Sequence, residues 1–520
     1  MAASGAGPGA DRKIADVVTL DGGTVSPASV LAVARGHATV FISHDVRARL
    51  DAARLVVERW AETGRGAYGV TTGLGAAVDT TLRPDELAEF QRRAVMARAV
   101  GVGPVVPVAE VRAMIFVRLA GLARGASGIS PALADTLCSV LNRGVHPLVR
   151  RTGSLGAADL APLAEAMLPL VGAGEAEFED VVLPGPEALR RAGIETPRLG
   201  PKDAIALLNS NAFGIGLSCL ALDEAEIALG ALTAAGALSL EAFRANLSVI
   251  DPRIVALRPE PGQTRVSEHL RALLRGSSLF DADEPRRVQD PLSIRCLAPV
   301  HGAVDGAAAT LRSLLEIELG GAGDSPAVLM DADEILSTVN FDTTALALAL
   351  ESLGRALAAA ATLAAWRIVK LMSNASSGLP RFLSRRGGSR SGFATAQKSA
   401  AALETAVRHL SLPLGPPAVA VADGVEDYAA MLPAVAEKTR AVAAHVLRLA
   451  AIELAVSAEG CDLREGIRLG VGTAAAHAFI RQLVEPLDDD RPMGGEFERV
   501  SDAIGRGELR DALAGAGCAS

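Results

Sequence analysis

No Asp, Glu, Lys or Arg falls between Asp203 and Asp223. An uncharged run of that length has to leave water, either for a bilayer or for a protein interior. Inside it stand Asn209, Ser210 and Asn211, a polar cluster that argues against lipid, where each such group is costly. A helix apolar on all sides, buried in a large bundle, explains the run and can still bring a few polar groups to a site. The remainder of the chain agrees. Half of its 520 residues are hydrophobic but only 3% are aromatic, Ala and Leu dominate, and β-branched alternating runs are scarce, so the helical period prevails. Helices are expected over 203–243, 299–319, 343–372, 393–409 and 431–459. The expected fold class is all-α, with a loop-rich N-terminal region over 1–200 and a helical bundle over 201–520. Gly-rich turns at 64–75, 101–107 and 153–156 mark where a site would be built.

The net charge is −9 and the positive charges are scattered. No basic face stands ready for a phosphate backbone, so nucleic acid is not an expected partner; neither is a membrane. Cys138, Cys219, Cys296, Cys461 and Cys518 lie far from one another, without the short spacings of metal or redox motifs, and read as reduced structural thiols with no metal. The first ten residues lack the apolar run of a signal peptide, which sets the expectation of a cytoplasmic protein.

Both tyrosines of the chain fall inside recognisable segments. Tyr68 opens Tyr68-Gly69-Val70-Thr71-Thr72-Gly73-Leu74-Gly75, and Tyr428 closes Glu426-Asp427-Tyr428. Between them come Arg124-Gly125-Ala126-Ser127-Gly128, Gly153-Ser154-Leu155-Gly156-Ala157-Ala158-Asp159-Leu160-Ala161-Pro162, Leu207-Leu208-Asn209, Gln289-Asp290-Pro291 with Arg295, and Asn340-Phe341. In this order and spacing, over about residues 20 to 480, the chain resembles the histidine and phenylalanine ammonia-lyase family. The resemblance implies an all-α homotetramer whose active sites are each assembled from loops of three subunits. It also implies an electrophilic ring, 4-methylideneimidazole-5-one, formed autocatalytically from Ala-Ser-Gly. On that ring the amine of a small-molecule substrate is engaged while a tyrosine, here Tyr68, removes a β-proton. Arg295 would pair with the substrate carboxylate and Asn209 would help to hold it; Gln289 and Phe341 are further candidate binding residues.

The ring loop departs from the pattern. It reads Gly156-Ala157-Ala158-Asp159, with Ala in place of Ser and one residue fewer, and Ala has no leaving group on Cβ. Ala126-Ser127-Gly128 matches the triad literally, but its flanks resemble the turn that precedes the ring loop and stays unmodified. Arg98 stands where the family commonly has a histidine, and would bind an anionic group or favour the phenolate of a nearby tyrosine. Several roles keep a plain alternative. Tyr68 could be a packed aromatic, Arg295 could pair with Asp290, Asn209 could make an interhelix bond, and Phe341 could be core. On these grounds the leading expectation is a repurposed enzyme without ring or other cofactor, in which Tyr68 serves elimination, conjugate addition or cyclisation. A non-catalytic binding protein or inactive partner subunit, and a conventional aromatic or histidine ammonia-lyase, stay open beside it.

Overall fold

The computed structural model describes residues 17–23, 25–36, 38–63, 69–70, 72, 87–281, 285–416 and 419–518. It is mainly helical, and the long helices fall where the apolar periodicity puts them: Leu297–Gly320, Thr344–Leu371, Ala396–Leu410 and Leu432–Asp462. The stretch expected as one helix from 203 is two, Asp203–Leu208 and Ala212–Phe243, separated at the polar cluster. Three helical stretches, Asp203–Phe243, Thr344–Leu371 and Leu432–Asp462, are long and apolar enough to cross a membrane, and the apolar window of the first is wholly buried within the protein.

The chain divides into two compact units. The first takes 1–219, 315–344 and 415–433. Its described strands are short: Val17–Leu20 pairs in parallel with Thr39–Ile42, Val102–Val105 pairs with Arg150–Thr152, and Glu175–Phe178 lies between His146–Pro147 and Val181–Pro184. A hairpin of Ala327–Leu329 and Glu334–Leu336 completes them. Helix His44–Thr63 presents Ala53, Val56, Val57 and Trp60 at helical spacing, and this stripe packs with Val328 and Ile335 of the hairpin. At the base of the hairpin, Arg118 and Asp324 form a fully buried ion pair at 2.6 Å, and Arg118 Nε also donates to the Ala206 carbonyl. This pairing ties helix Val108–Leu122 to both the hairpin and helix Asp203–Leu208.

The second unit takes 220–314, 345–414 and 434–520. Its centre holds a buried polar network within an Ala- and Leu-rich core. Arg367 donates to Glu453 through Nε at 2.5 Å and Nη2 at 2.9 Å, and the Ser239 hydroxyl donates to the same carboxylate. A buried charge pair of this kind is tolerated because the geometry is bidentate and the remaining acceptor is satisfied.

Candidate active site in the first unit

The site is built on the loop 153–159, and the loop is held by Asp159. Its carboxylate is fully buried, accepts the Ser154 hydroxyl at 2.5 Å on Oδ1 and accepts the Gly214 amide at 2.8 Å on Oδ2. Burial pushes the Asp159 carboxyl up to about 6, against the hydrogen bonds from Ser154, Gly214 and Phe213 that pull it down. Gly156 has φ +79°, and a Cβ there would lie 2.7 Å from the Leu432 amide nitrogen. Only glycine lets the loop approach that backbone so closely. Next to it Ala158 adopts φ 67°, a left-handed conformation that costs an L-residue about 1–2 kcal/mol.

Asn209 ends helix Asp203–Leu208 in a non-helical conformation, φ −87° and ψ 81°. Side-chain amides compete with helical hydrogen bonding by reaching for nearby backbone, and both asparagines do so here. Asn209 Nδ2 donates to the Ser325 carbonyl at 2.5 Å, and Asn211 Nδ2 donates to the Phe341 carbonyl. The break therefore lets 209–211 pin the segments around 325 and 341.

Between these segments lies a cavity of about 800 Å³. Leu160, Ile205, Val339 and Phe341 supply apolar wall, Arg98 a guanidinium, and Asp342, Glu426 and Asp427 three carboxylates. Tyr428 also lines it, 52% exposed, with its hydroxyl 2.8 Å from Thr344 Oγ1; Thr344 in turn donates to Asp342 Oδ2 at 3.0 Å. Burial first, and then the charge of Asp342, push the Glu318 carboxyl up to about 7. Glu318 lines a second cleft of about 20 Å³ with Asn211, Phe341 and Thr343. That is room for a single water.

Of the residues singled out in the sequence, Arg98, Ala157, Ala158, Asn209 and Phe341 come together on this cavity. Arg98 is half-buried and donates from Nη1 to the Ala94 carbonyl at 3.0 Å. Tyr68 lies outside the described residues. Gln289 and Arg295 belong to the second unit, where Gln289 is exposed and Arg295 ends the short helix Leu292–Arg295 with its buried Nε lacking a hydrogen-bond partner among the described residues. Sequence reasoning did not single out Asp342, Thr344, Glu426, Asp427 or Tyr428 as site residues, although 426–428 stood in a motif. The available signal was the acidic pair placed directly before one of only two tyrosines.

The loop can be tested for the ring that the resemblance implies. Ala157 and Ala158 carry no oxygen on Cβ, and the side-chain oxygens the loop does have are committed, Ser154 Oγ to Asp159 and the Gly156 amide, and the Asp159 carboxylate to Ser154 and the Gly214 amide. These residues do not fit the precursor. Ser127 is fully buried, its hydroxyl accepts the Ile129 amide and its carbonyl accepts Lys202 Nζ at 2.5 Å; it does not line the cavity.

A family description, aromatic amino acid lyase, matches residues 25–482. A histidine ammonia-lyase of Chloroflexus aurantiacus is 37% identical over 511 residues, covering 96% of this chain and 98% of its own. Among solved structures, the ergothioneine-degrading ergothionase of Treponema denticola superposes with a TM-score of 0.91 at 30% identity, covering 95% of this chain and 99% of its own. The histidine ammonia-lyase of Trypanosoma cruzi does so with a TM-score of 0.88 at 29% identity, covering 96% and 95%. These relatives correct two expectations. A repurposed enzyme with ring-independent chemistry is overturned by full-length relatives that are histidine ammonia-lyases; one substituted loop does not outweigh likeness along the whole chain. The expected absence of a cofactor falls on the same ground, because the histidine ammonia-lyases and aminomutases it resembles work with a ring made from their own chain. On both sequence and fold, the chain belongs to the aromatic amino acid lyase family.

Proposed function

We propose that this protein is a carbon–nitrogen lyase of the ammonia-lyase type, which expels the α-nitrogen of an amino acid bearing an imidazole side chain, as ammonia from a free amino acid or as trimethylamine from its betaine. The observation that carries the substrate class is the composition of the cavity wall, where Asp342, Glu426 and Asp427 face a space that also holds Arg98. A guanidinium suits the substrate carboxylate, and carboxylates suit an ammonium and the N–H donors of an imidazole far better than they suit a plain phenyl ring. Phe341, Leu160 and Ile205 give the flat side chain an apolar surface. A volume of about 800 Å³ is within the usual range for a small-molecule site.

The resemblance adds two parts to this reading. It gives the β-proton to Tyr68, and it gives a homotetramer in which Gln289 and Arg295 of one copy complete the site of another. Support for shared sites comes from Arg295, a half-buried cation whose Nε has no partner among the described residues of its own chain.

The test is direct. The purified protein is offered histidine, ergothioneine, phenylalanine and tyrosine, and the released amine, ammonia or, from ergothioneine, trimethylamine, is measured beside the ultraviolet absorbance of a conjugated acid. Turnover of an imidazole-bearing compound is expected. Turnover of phenylalanine or tyrosine alone would overturn the substrate class, and turnover of none would overturn the lyase reading.

A further inference from the structure

The second cleft of the first unit is lined by the last turns of two helices, Val108–Leu122 and Leu297–Gly320, and shares Phe341 with the large cavity. Two buried oxygens on its wall, Asn211 Oδ1 and Thr343 Oγ1, have no hydrogen-bond partner among the described residues. Asn211 is 3% exposed and Thr343 1%. The other contact of Asn211 fixes which atom is left over. Its Nδ2 is spent on the Phe341 carbonyl, which can only accept, so the unpartnered atom is an acceptor. Glu318 brings a carboxylate to the same cleft, and the charge acting on it is that of another carboxylate, Asp342. The two helix C-termini add partial negative charge. Arg118 also lines the cleft, but its charge is balanced by Asp324 at 2.6 Å and its Nε donates to the Ala206 carbonyl. The cleft is therefore rich in acceptors and negative in sum. A water molecule donates two hydrogens and leaves Glu318 uncompensated, whereas a small cation meets all three oxygens and the charge.

We propose that this cleft binds one monovalent cation of the size of ammonium or potassium, held by the Glu318 carboxylate, Asn211 Oδ1 and Thr343 Oγ1. The volume of about 20 Å³ admits a single water-sized particle. The charge of the ion follows from its ligands, one carboxylate and two neutral oxygens. A divalent ion usually takes several carboxylates or keeps its waters, and no group of three His, Cys, Asp or Glu that could hold a metal occurs among the described residues. Ammonium and potassium share what the cleft asks for, a single charge and a radius close to that of water. Asn211 carries the effect towards the cavity, because its Oδ1 meets the ion while its Nδ2 holds the backbone at Phe341. The inference does not depend on the lyase reading, although elimination from a free amino acid would itself supply ammonium.

The experiment uses the full chain and reads stability, not turnover. The protein is melted in tetramethylammonium chloride, whose cation is too large for the cleft, with growing shares replaced by potassium chloride or ammonium chloride at constant ionic strength. A saturable rise in Tm is expected, with its midpoint in the millimolar range, because an ion that binds the folded state alone stabilises it by mass action. Glu318→Gln and Thr343→Val should each weaken the apparent affinity by about tenfold or more, while Thr343→Ser, which keeps the oxygen, should stay within about threefold of wild type. The increment is compared within each variant, so a general loss of stability does not mimic the effect, and circular dichroism controls for folding. A rise with both salts supports a site for any monovalent cation of this size, and a rise with ammonium alone supports a site for the product of the reaction. No rise beyond that in tetramethylammonium, or a rise unmoved in Glu318→Gln and Thr343→Val, overturns the proposal. Either result leaves the lyase reading to its own assay.

Discussion

Replacing Asp159 by Asn should stabilise the protein at neutral pH and change little near pH 4. Burial raises the Asp159 carboxyl from its ordinary 3.8 to about 6, so between those values the folded protein holds a proton that the unfolded chain has lost. Stability from this group is complete below about pH 4 and is lost as pH rises through about 6. The difference corresponds to a cost of about 3 kcal/mol above pH 7, borne by the wild type and absent in a neutral side chain of the same shape. Asn can keep the loop, since its oxygen can accept the Gly214 amide and its Nδ2 can donate to Ser154 Oγ, which already accepts the Gly156 amide at 3.0 Å. Urea unfolding of both proteins at pH 4.5 and pH 8, at one protein concentration, isolates the effect, because every other carboxyl is shared. The Asn variant should gain on the wild type between the two pH values by an amount approaching that cost. A difference independent of pH, or an Asn variant less stable at pH 8, would refute the burial argument.

Other changes have expected outcomes of different kinds. Arg118→Ala strands the buried Asp324 and should cost about 3–5 kcal/mol in denaturant unfolding. Gly156→Ala places a Cβ 2.7 Å from the Leu432 nitrogen at φ +79° and should destabilise by about 1–3 kcal/mol, seen as a lower melting temperature, with loss of turnover because the loop must shift. Arg98→Ala should raise KM for the amino acid by about 10- to 100-fold, the loss of a charged hydrogen bond to its carboxylate, with a smaller effect on kcat; an unchanged KM would remove Arg98 from substrate binding.

The long helices were legible because apolar periodicity over many turns needs no tertiary information. The break at 209–211 was not, since no Gly or Pro stands between Asp203 and Asn211 to mark it. What ends the helix is the reach of Asn209 and Asn211 to carbonyls at 325 and 341, partners more than a hundred residues away. The short paired strands, such as Val17–Leu20 with Thr39–Ile42, were hidden for a related reason: four-residue segments carry too little pattern to register. At the site, Arg98, Asn209 and Phe341 could be nominated by their place in motifs. Tyr428, Thr344 and Asp342 gain meaning only from a hydrogen bond that joins positions 84 residues apart. The substituted ring loop was plain in the sequence, but the weight placed on it was too great. Two alanines at 157 and 158 describe one loop, whereas the match over 25–482 describes the protein.

The proposed activity breaks a carbon–nitrogen bond in an imidazole-bearing amino acid. Release of ammonia from histidine or of trimethylamine from ergothioneine by the purified, folded protein, followed with the rise of conjugated-acid absorbance, tests it most directly. Stoichiometric release of the amine and the unsaturated acid from at least one of them is the predicted result. Neither product from either compound, with the protein folded and assembled, would contradict it.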